Sequence, residues 1–243
     1  MPFYKNKQNH KIVYKTVKGR GLGIIFIHGL NSHMNGTKAL TVERYARKNK
    51  LNFIRFDCRG HGESEGKFEE FTLSDWKRDL LDIIDNISKG PQILIGSSMG
   101  GWLMMLAAKA RPKRIKGMVG LAAAPDFGKE FYKSLNKKNK NEIRRKGITK
   151  YSLYGDIYLT KKFFEEAEKN KVLNKSIRFN GPLILIHGLK DKVVKEEVPK
   201  KIMKKLTGRN IIIIYLKESD HRLSSETDLK IIRESIDYIR KNI

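Results

Sequence analysis

Along the chain, short apolar runs alternate with stretches of helical periodicity. The runs are Gly23–His28 (GIIFIH), Leu51–Asp57 (LNFIRFD), Gln92–Ser97 (QILIGS), Lys116–Ala122 (KGMVGLA), Leu183–His187 (LILIH) and Asn210–Leu216 (NIIIIYL). They are continuously apolar rather than alternating, which predicts strands buried on both faces. Lys11–Lys18 alternates better, with Ile12, Tyr14 and Thr16 against Val13 and Val17, and reads as an edge strand. Between these runs the spacing predicts helices over Thr37–Asn49, Ser74–Ser88, Met99–Ala110, Lys195–Leu206 and Glu226–Lys241. In the last of them Leu229, Ile232, Ile236 and Ile239 build one apolar stripe, and Ser225 with Asp228 forms a weak capping box at its start. Strands alternating with helices predict an α/β fold, a mostly parallel central sheet flanked by helices.

One stretch breaks the rhythm. From Phe127 to Asn180 no buried strand is evident and the composition turns basic and aromatic. Two or three short helices are expected there, with a turn near Tyr154-Gly155-Asp156. An insertion between a late strand and the next βα unit can cover the carboxyl ends of the strands, where open α/β sheets bind ligands. The expected organisation is therefore a core of residues 1–127 and 181–243, with a lid or cap at 128–180. At 243 residues and 40% hydrophobic content the chain is long enough for one such domain.

Chemistry enters at Gly96-Ser97-Ser98-Met99-Gly100, a G-x-S-x-G pattern. Alone it is a common coincidence, but here it follows an apolar strand and opens a helix. A serine on so tight a strand-to-helix turn has strained backbone angles, and side chains two residues to either side collide with neighbouring backbone. Glycine at both places fits that requirement. Ser97 precedes the bend and points away, which leaves Ser98 as the candidate nucleophile.

A serine hydroxyl needs a base to take its proton. The order serine, acid, histidine is met by Asp191, beyond the run Leu183–His187, and His221, beyond Asn210–Leu216. Asp191 is expected to orient His221, and His221 to take and return the proton of Ser98. Glu218 and Asp220 compete as acids but stand too near His221 in sequence; Asp57 is a further rival. Of the other histidines, His28 and His187 end strands and read as loop anchors, His61 lies in a glycine-rich loop, and His10 and His33 are weaker still. The backbone N–H groups of Met99 and Leu30 are the candidate oxyanion donors. The segment Asp57–Gly66, polar and punctuated by glycine, reads as a brace around the elbow, with Cys58 a packing residue.

Charge changes the picture less than its size suggests. Lys+Arg number 51 against 26 Asp+Glu, a formal +25. The basic residues are 36 Lys and 15 Arg, spread along the whole chain. Base-reading surfaces favour arginine for its bidentate fork, so no nucleic-acid partner is expected. The lysines of the insertion read first as a solvated face. One cysteine allows no intrachain disulfide. Met1–Lys18 has no apolar run of signal-peptide length, and no stretch is long and apolar enough to span a bilayer. These features lead to an expected cytoplasmic protein without metal, organic cofactor or integral membrane segment; its oligomeric state is not legible.

Together His28-Gly29, Asp57-x-Arg59-Gly60-His61-Gly62-x-Ser64, Gly96–Gly100, Asp191 and His221 resemble the α/β-hydrolase superfamily across nearly the whole chain. More narrowly, Asn31-Ser32-x-Met34-x-Gly36-x-Lys38-Ala39, the segment Gly96–Met104 and Asp220-His221-Arg222-Leu223-Ser224 resemble the mitochondrial acyl-glucuronide esterase and S-depalmitoylase (palmitoyl-protein thioesterase) group and its bacterial relatives. That resemblance implies cofactor-free hydrolysis of carboxylic esters and acyl thioesters, on small molecules or acylated proteins, through Ser98, Asp191 and His221. A serine at the elbow argues against the branches that attack through a carboxylate. C–C bond hydrolysis, peptidase or perhydrolase chemistry, and a non-catalytic binding protein on the same scaffold, are the alternatives.

Overall fold

The structure, a computed structural model, describes residues 2–152 and 155–243. Its elements in chain order are β1 (Phe3–Lys5), β2 (Lys11–Val17), β3 (Arg20–Ile27), α1 (Thr37–Lys48), β4 (Leu51–Phe56), α2 (Leu73–Asp82), β5 (Gln92–Ser97), α3 (Met99–Ala110), β6 (Ile115–Leu121), α4 (Gly128–Ser134), α5 (Lys137–Lys146), β7 (Ile148–Ser152), β8 (Asp156–Thr160), α6 (Lys161–Lys169), β9 (Leu183–Gly188), α7 (Glu197–Lys205), β10 (Ile211–Leu216) and α8 (Glu226–Lys241). The main sheet has the order β1-β2-β4-β3-β5-β6-β9-β10. From β4 to β10 every neighbouring pair is parallel; β1–β2 and β2–β4 are antiparallel. This is the α/β-hydrolase arrangement that the motifs imply.

Two cores explain why the strands read as apolar without a break. Ile25 and Ile27 of β3 and Leu94 of β5 point to one face, where α2 and α3 bring Leu73, Trp76, Trp102 and Leu106. Ile24, Phe26, Ile93 and Ile95 point to the other, against Ala39 and Val42 of α1 and Leu229, Ile232 and Ile236 of α8. With helices on both sides, both side-chain parities of a strand are buried. The helix α3 is apolar all round, and each residue from Met99 to Ala108 is buried, as a helix enclosed on every side requires.

Three details depart from the sequence pattern. The segment Lys11–Val17 is not an edge: the three-residue β1 pairs with it on its outer side, and so short a strand leaves no periodicity to read. The true edge on the opposite side is β10, partly exposed along its whole length, although its isoleucine run looks like an interior strand. Helix α2 runs on into a π-helical turn at Ile83–Ile87, closed by the Ser88 N–H on the Ile83 carbonyl at 2.9 Å.

The insertion contains the three short helices α4, α5 and α6, and also a hairpin that the sequence did not suggest. Strands β7 and β8 pair antiparallel from Ile148↔Thr160 to Ser152↔Asp156. Ile157 and Leu159 are buried while Tyr158 between them is exposed, a two-sided pattern too short to stand out among lysines. The expected turn at Tyr154-Gly155-Asp156 falls within this hairpin, with Tyr154 outside the described residues. At the base of the insertion the Asp126 carboxylate accepts the N–H groups of Val172 (2.8 Å) and Leu173 (2.9 Å). The Trp102 indole N–H of α3 donates to the Asn170 carbonyl at 3.0 Å.

The expected cap of α8 is present. Ser225 Oγ accepts the Asp228 N–H at 3.2 Å, and the Asp228 carboxylate accepts the Ser225 N–H at 2.9 Å. Replacing Ser225 by Ala removes one of these bonds and is expected to lower stability by about 1 kcal/mol, read as a shift in the urea midpoint at unchanged slope.

Candidate active site

Parallel strands bring their carboxyl ends, and the loops after them, to one edge of the sheet. Gly29 and Leu30 follow β3, Ser98 follows β5, Asp191 follows β9 and His221 follows β10. Ser98 and His221 are 123 residues apart in the chain, and the topology brings them together.

Ser98 has φ 53° and ψ −116°, a left-handed backbone that a non-glycine residue adopts at a cost of about 1–3 kcal/mol. Its surroundings hold it there. The Ser98 N–H donates to the Leu121 carbonyl at 2.9 Å, and the Ser98 carbonyl accepts from Gly101 (2.9 Å) and Ala124 (3.0 Å). A Cβ on Gly100 meets the Ile27 carbonyl oxygen at 2.2 Å, and one on Gly96 meets the Gly100 carbonyl at 2.4 Å. Strand, elbow and helix touch through bare backbone, which is the physical content of the two glycines in the motif.

From this elbow a chain of hydrogen bonds runs outward. Ser98 Oγ lies 3.1 Å from His221 Nε2, and His221 Nδ1 lies 2.8 Å from Asp191 Oδ2. With Nδ1–H donating to the carboxylate, Nε2 presents its lone pair to the serine hydroxyl. Asp191 Oδ1 accepts the backbone N–H groups of Val193 (2.8 Å) and Val194 (2.9 Å), so both carboxylate oxygens are engaged. The side chain is fully enclosed. Burial pushes its carboxyl upward, but the hydrogen bonds from His221, Val194 and Val193 outweigh it and hold Asp191 below the usual carboxylate range. It is therefore ionised wherever the imidazole needs a partner.

The rival acids are occupied elsewhere. Asp57 accepts from the Met34 N–H at 2.6 Å and the Glu63 N–H at 3.0 Å, tying together two loops. Glu218 pairs with Lys190, and Asp220 accepts the Arg222 N–H at 2.9 Å. The histidines that end strands are loop anchors, as the sequence suggests. His28 donates through Nδ1 to the Gly29 carbonyl (2.8 Å) and accepts the Cys58 N–H at Nε2 (3.0 Å). His187 donates from Nε2 to the Val194 carbonyl at 3.1 Å, which supports the loop holding Asp191. Cys58 is wholly buried, and burial raises its thiol well above the usual range.

Leu30 and Ser98 line the same cavity of about 500 Å³, together with Gly29, His221, Lys38 and Arg222. Gly29 approaches the elbow so closely that a Cβ there lies 3.2 Å from Ser98 Cβ. Met99 is the first residue of α3, and the leading N–H groups of a helix lack partners within it. The strand-end position that selected Leu30 and Met99 thus brings both beside Ser98. A second cavity, about 510 Å³, lies among Tyr132, Ile143 and Phe164 of the insertion and contains none of these residues.

One contributor escaped sequence reasoning. Asp79 of α2 is buried against Arg59, with Arg59 Nε 2.7 Å from Asp79 Oδ1 and the Arg59 N–H 3.0 Å from Oδ2. This pair anchors the glycine-rich loop after β4; nothing in the sequence distinguishes Asp79 from other helix carboxylates. Lys38 and Arg222, which stand in the motifs that carry the family resemblance but were not candidate site residues, line the cavity that holds Ser98.

Comparison with known proteins agrees with this fold. Residues 22–152 match the Hydrolase_4 family, described as serine aminopeptidase, S33; the match includes Ser98 and ends before Asp191. The human mitochondrial palmitoyl-protein thioesterase ABHD10 is 40% identical over 230 residues, 93% of this chain and 75% of that protein. The solved structure of mouse alpha/beta hydrolase domain-containing protein 10 superposes with a TM-score of 0.90 at 35% identity, covering 99% of this chain and 98% of that one. A hydrolase from Agrobacterium vitis S4 superposes with a TM-score of 0.89 at 28% identity, covering 98% and 99%. The expected cytoplasmic setting gains no support here, since the human relative is described as mitochondrial. Among the described residues no helix is long and apolar enough to cross a membrane.

Gly100→Ala is expected to lose about 1–3 kcal/mol of stability, the usual penalty of overpacking. A serine-directed phosphonate should label the variant more slowly than it labels the parent, because the added methyl displaces the elbow. Both are measured on one preparation, by thermal unfolding and by the labelling time course.

Proposed function

Because the chain belongs to the Hydrolase_4 family of α/β hydrolases, we propose that it cleaves carboxylic esters or acyl thioesters through Ser98, His221 and Asp191 and an acyl-enzyme intermediate. The observation that carries this reading is the unbroken hydrogen-bond chain from Asp191 Oδ2 through the His221 ring to Ser98 Oγ, at 2.8 and 3.1 Å.

In the first half-reaction Ser98 Oγ attacks the acyl carbon as its proton passes to His221 Nε2. Asp191 stabilises the imidazolium through Nδ1–H. The carbonyl oxygen becomes an oxyanion, and the N–H groups of Leu30 and Met99 are the proposed donors to it. Collapse breaks the bond to the alkoxide or thiolate, which leaves with the proton from His221. In the second half, water gives a proton to His221 and attacks the acyl-serine. The carboxylic acid departs, and the proton returns to Ser98 Oγ. The scheme needs no metal or organic cofactor to balance.

The insertion, residues 128–180, is proposed to act as a lid on the core of residues 1–127 and 181–243. Its base is tied to α3, the helix that Ser98 opens, and this contact supports the reading. The name of the human relative, palmitoyl-protein thioesterase, favours acyl thioesters among the candidate substrates. A cytoplasmic location stays within the proposal; it rests on the single buried thiol, Cys58.

A panel of nitrophenyl esters and acyl thioesters of increasing chain length, run beside Ser98→Ala, tests the reading. Activity should fall by about three orders of magnitude or more in the variant, and phosphonate labelling should vanish. Well-folded parent protein that takes no label overturns the proposal. Comparing rates along the series then separates ester from thioester preference.

A further inference from the structure

The cavity holding Ser98 has a wall that the reaction scheme leaves unused. Its lining includes Arg222 and Ser224, directly after His221, and Thr37 and Lys38 at the start of α1. Lys38 Nζ donates to the Arg222 carbonyl oxygen. An ammonium has three N–H donors, and this is the one bond Lys38 makes among the described residues. Two donors of a half-buried cation therefore remain, in a cavity shared with the nucleophile.

Chemistry says which part of a substrate lies on this side. The departing atom takes its proton from His221 Nε2, so it must sit within hydrogen-bond reach of that nitrogen. The leaving group consequently extends on the His221 side of the cavity, where Arg222, Ser224 and Lys38 form the wall. A half-buried ammonium with unspent donors is matched best, among the groups a substrate can offer, by an anionic acceptor.

Resting on the triad reading above, we propose that Lys38 is a specificity-determining residue that receives an anionic group, carboxylate or phosphate, carried by the leaving group. A purely structural role is the rival: the bond to the Arg222 carbonyl can simply hold the loop that bears His221. The two roles differ in what they do to the choice between substrates.

Burial, opposed by the carboxylates of Asp220, Asp228 and Asp191 and reinforced by the Arg222 guanidinium, brings the Lys38 amine down to about 8. His33 and His221 also line the cavity. Below that pH the site is cationic; above it the attraction for an anion fades. A ratio of rates for two esters hydrolysed by the same triad cancels the pH dependence that the two reactions share.

The test uses butyryl esters of para-hydroxybenzoate, its neutral amide para-hydroxybenzamide, and para-hydroxyphenyl phosphate, with kcat and KM measured separately. The protein should prefer one or both anionic esters over the amide, and whichever leads identifies carboxylate or phosphate as the favoured group. In Lys38→Met the anionic-to-neutral ratio of kcat/KM should fall roughly 10- to 100-fold, mostly through KM. Lys38→Arg, which keeps the charge, should retain part of the preference. In the unsubstituted protein the same ratio should decline as pH rises through about 8, a readout that survives if a variant fails to fold. Equal treatment of all three esters by protein that labels with phosphonate overturns the proposal and leaves the triad standing. So does an equal loss on all three in Lys38→Met, the signature of a loop brace. Absence of both hydrolysis and labelling overturns the triad reading and this one together.

Discussion

At the elbow bare backbone meets bare backbone: a Cβ on Gly100 would strike the Ile27 carbonyl of β3, and one on Gly96 the Gly100 carbonyl of α3. The left-handed Ser98 lies between them, fixed by hydrogen bonds to Leu121, Gly101 and Ala124. Strain at one residue persists only where its surroundings over-determine it, and here they do so through main chain rather than side chains. The rest of the site inherits its precision from this contact. The elbow sets Ser98 Oγ, whose position the His221 ring must meet at 3.1 Å, and the same approach brings Gly29 and the loop after β3 against the nucleophile.

A second layer keeps the imidazole in one tautomer. Asp191 is enclosed and spends one oxygen on two backbone N–H groups and the other on His221. His187, near the end of β9 and four residues before Asp191, pins the Val194 carbonyl of the same loop. The loop after β4 is braced in a comparable way, with Asp57 reaching Met34 and Arg59 reaching Asp79. Loops at the carboxyl edge of the sheet are thus held by buried polar groups with named partners, the condition under which such groups add rigidity rather than a penalty.

How much of this is legible in the sequence depends on the length scale of the signal. The interior strands and flanking helices are readable because each repeats a pattern over six or more residues, as in the stripe of α8. The triad candidates are readable because strand ends and chain order confine them. The strand β1 and the hairpin β7–β8 are not, since three to five residues with mixed polarity carry no usable period. The exposure of β10 is hidden for a different reason: being an edge is a property of topology, and Ile211–Ile214 is as apolar as an interior run. Asp79 matters through Arg59, a partner distant in sequence, and residue type alone does not separate it from the other charged positions. The same limit holds for the lysine surplus, whose number says nothing about which amine faces the cavity.

The closure at the base of the insertion has an evolutionary reading. A single carboxylate, Asp126, joins the chain just before the insertion to Val172 and Leu173 in the insertion's last stretch. Everything between is a loop whose two ends are already joined, so its length and sequence can change while β6 and β9 keep their pairing. Lengthening a loop with fixed ends costs little entropy. The insertion's buried residues Ile143, Ile157, Leu159 and Phe163 belong to the core that contains Trp76 and Trp102, so a replacement must also refill that face. The bonds of Asn170 to Trp102 and Ser74, and of Ser74 to Glu166, are polar contacts that any replacement would have to reproduce.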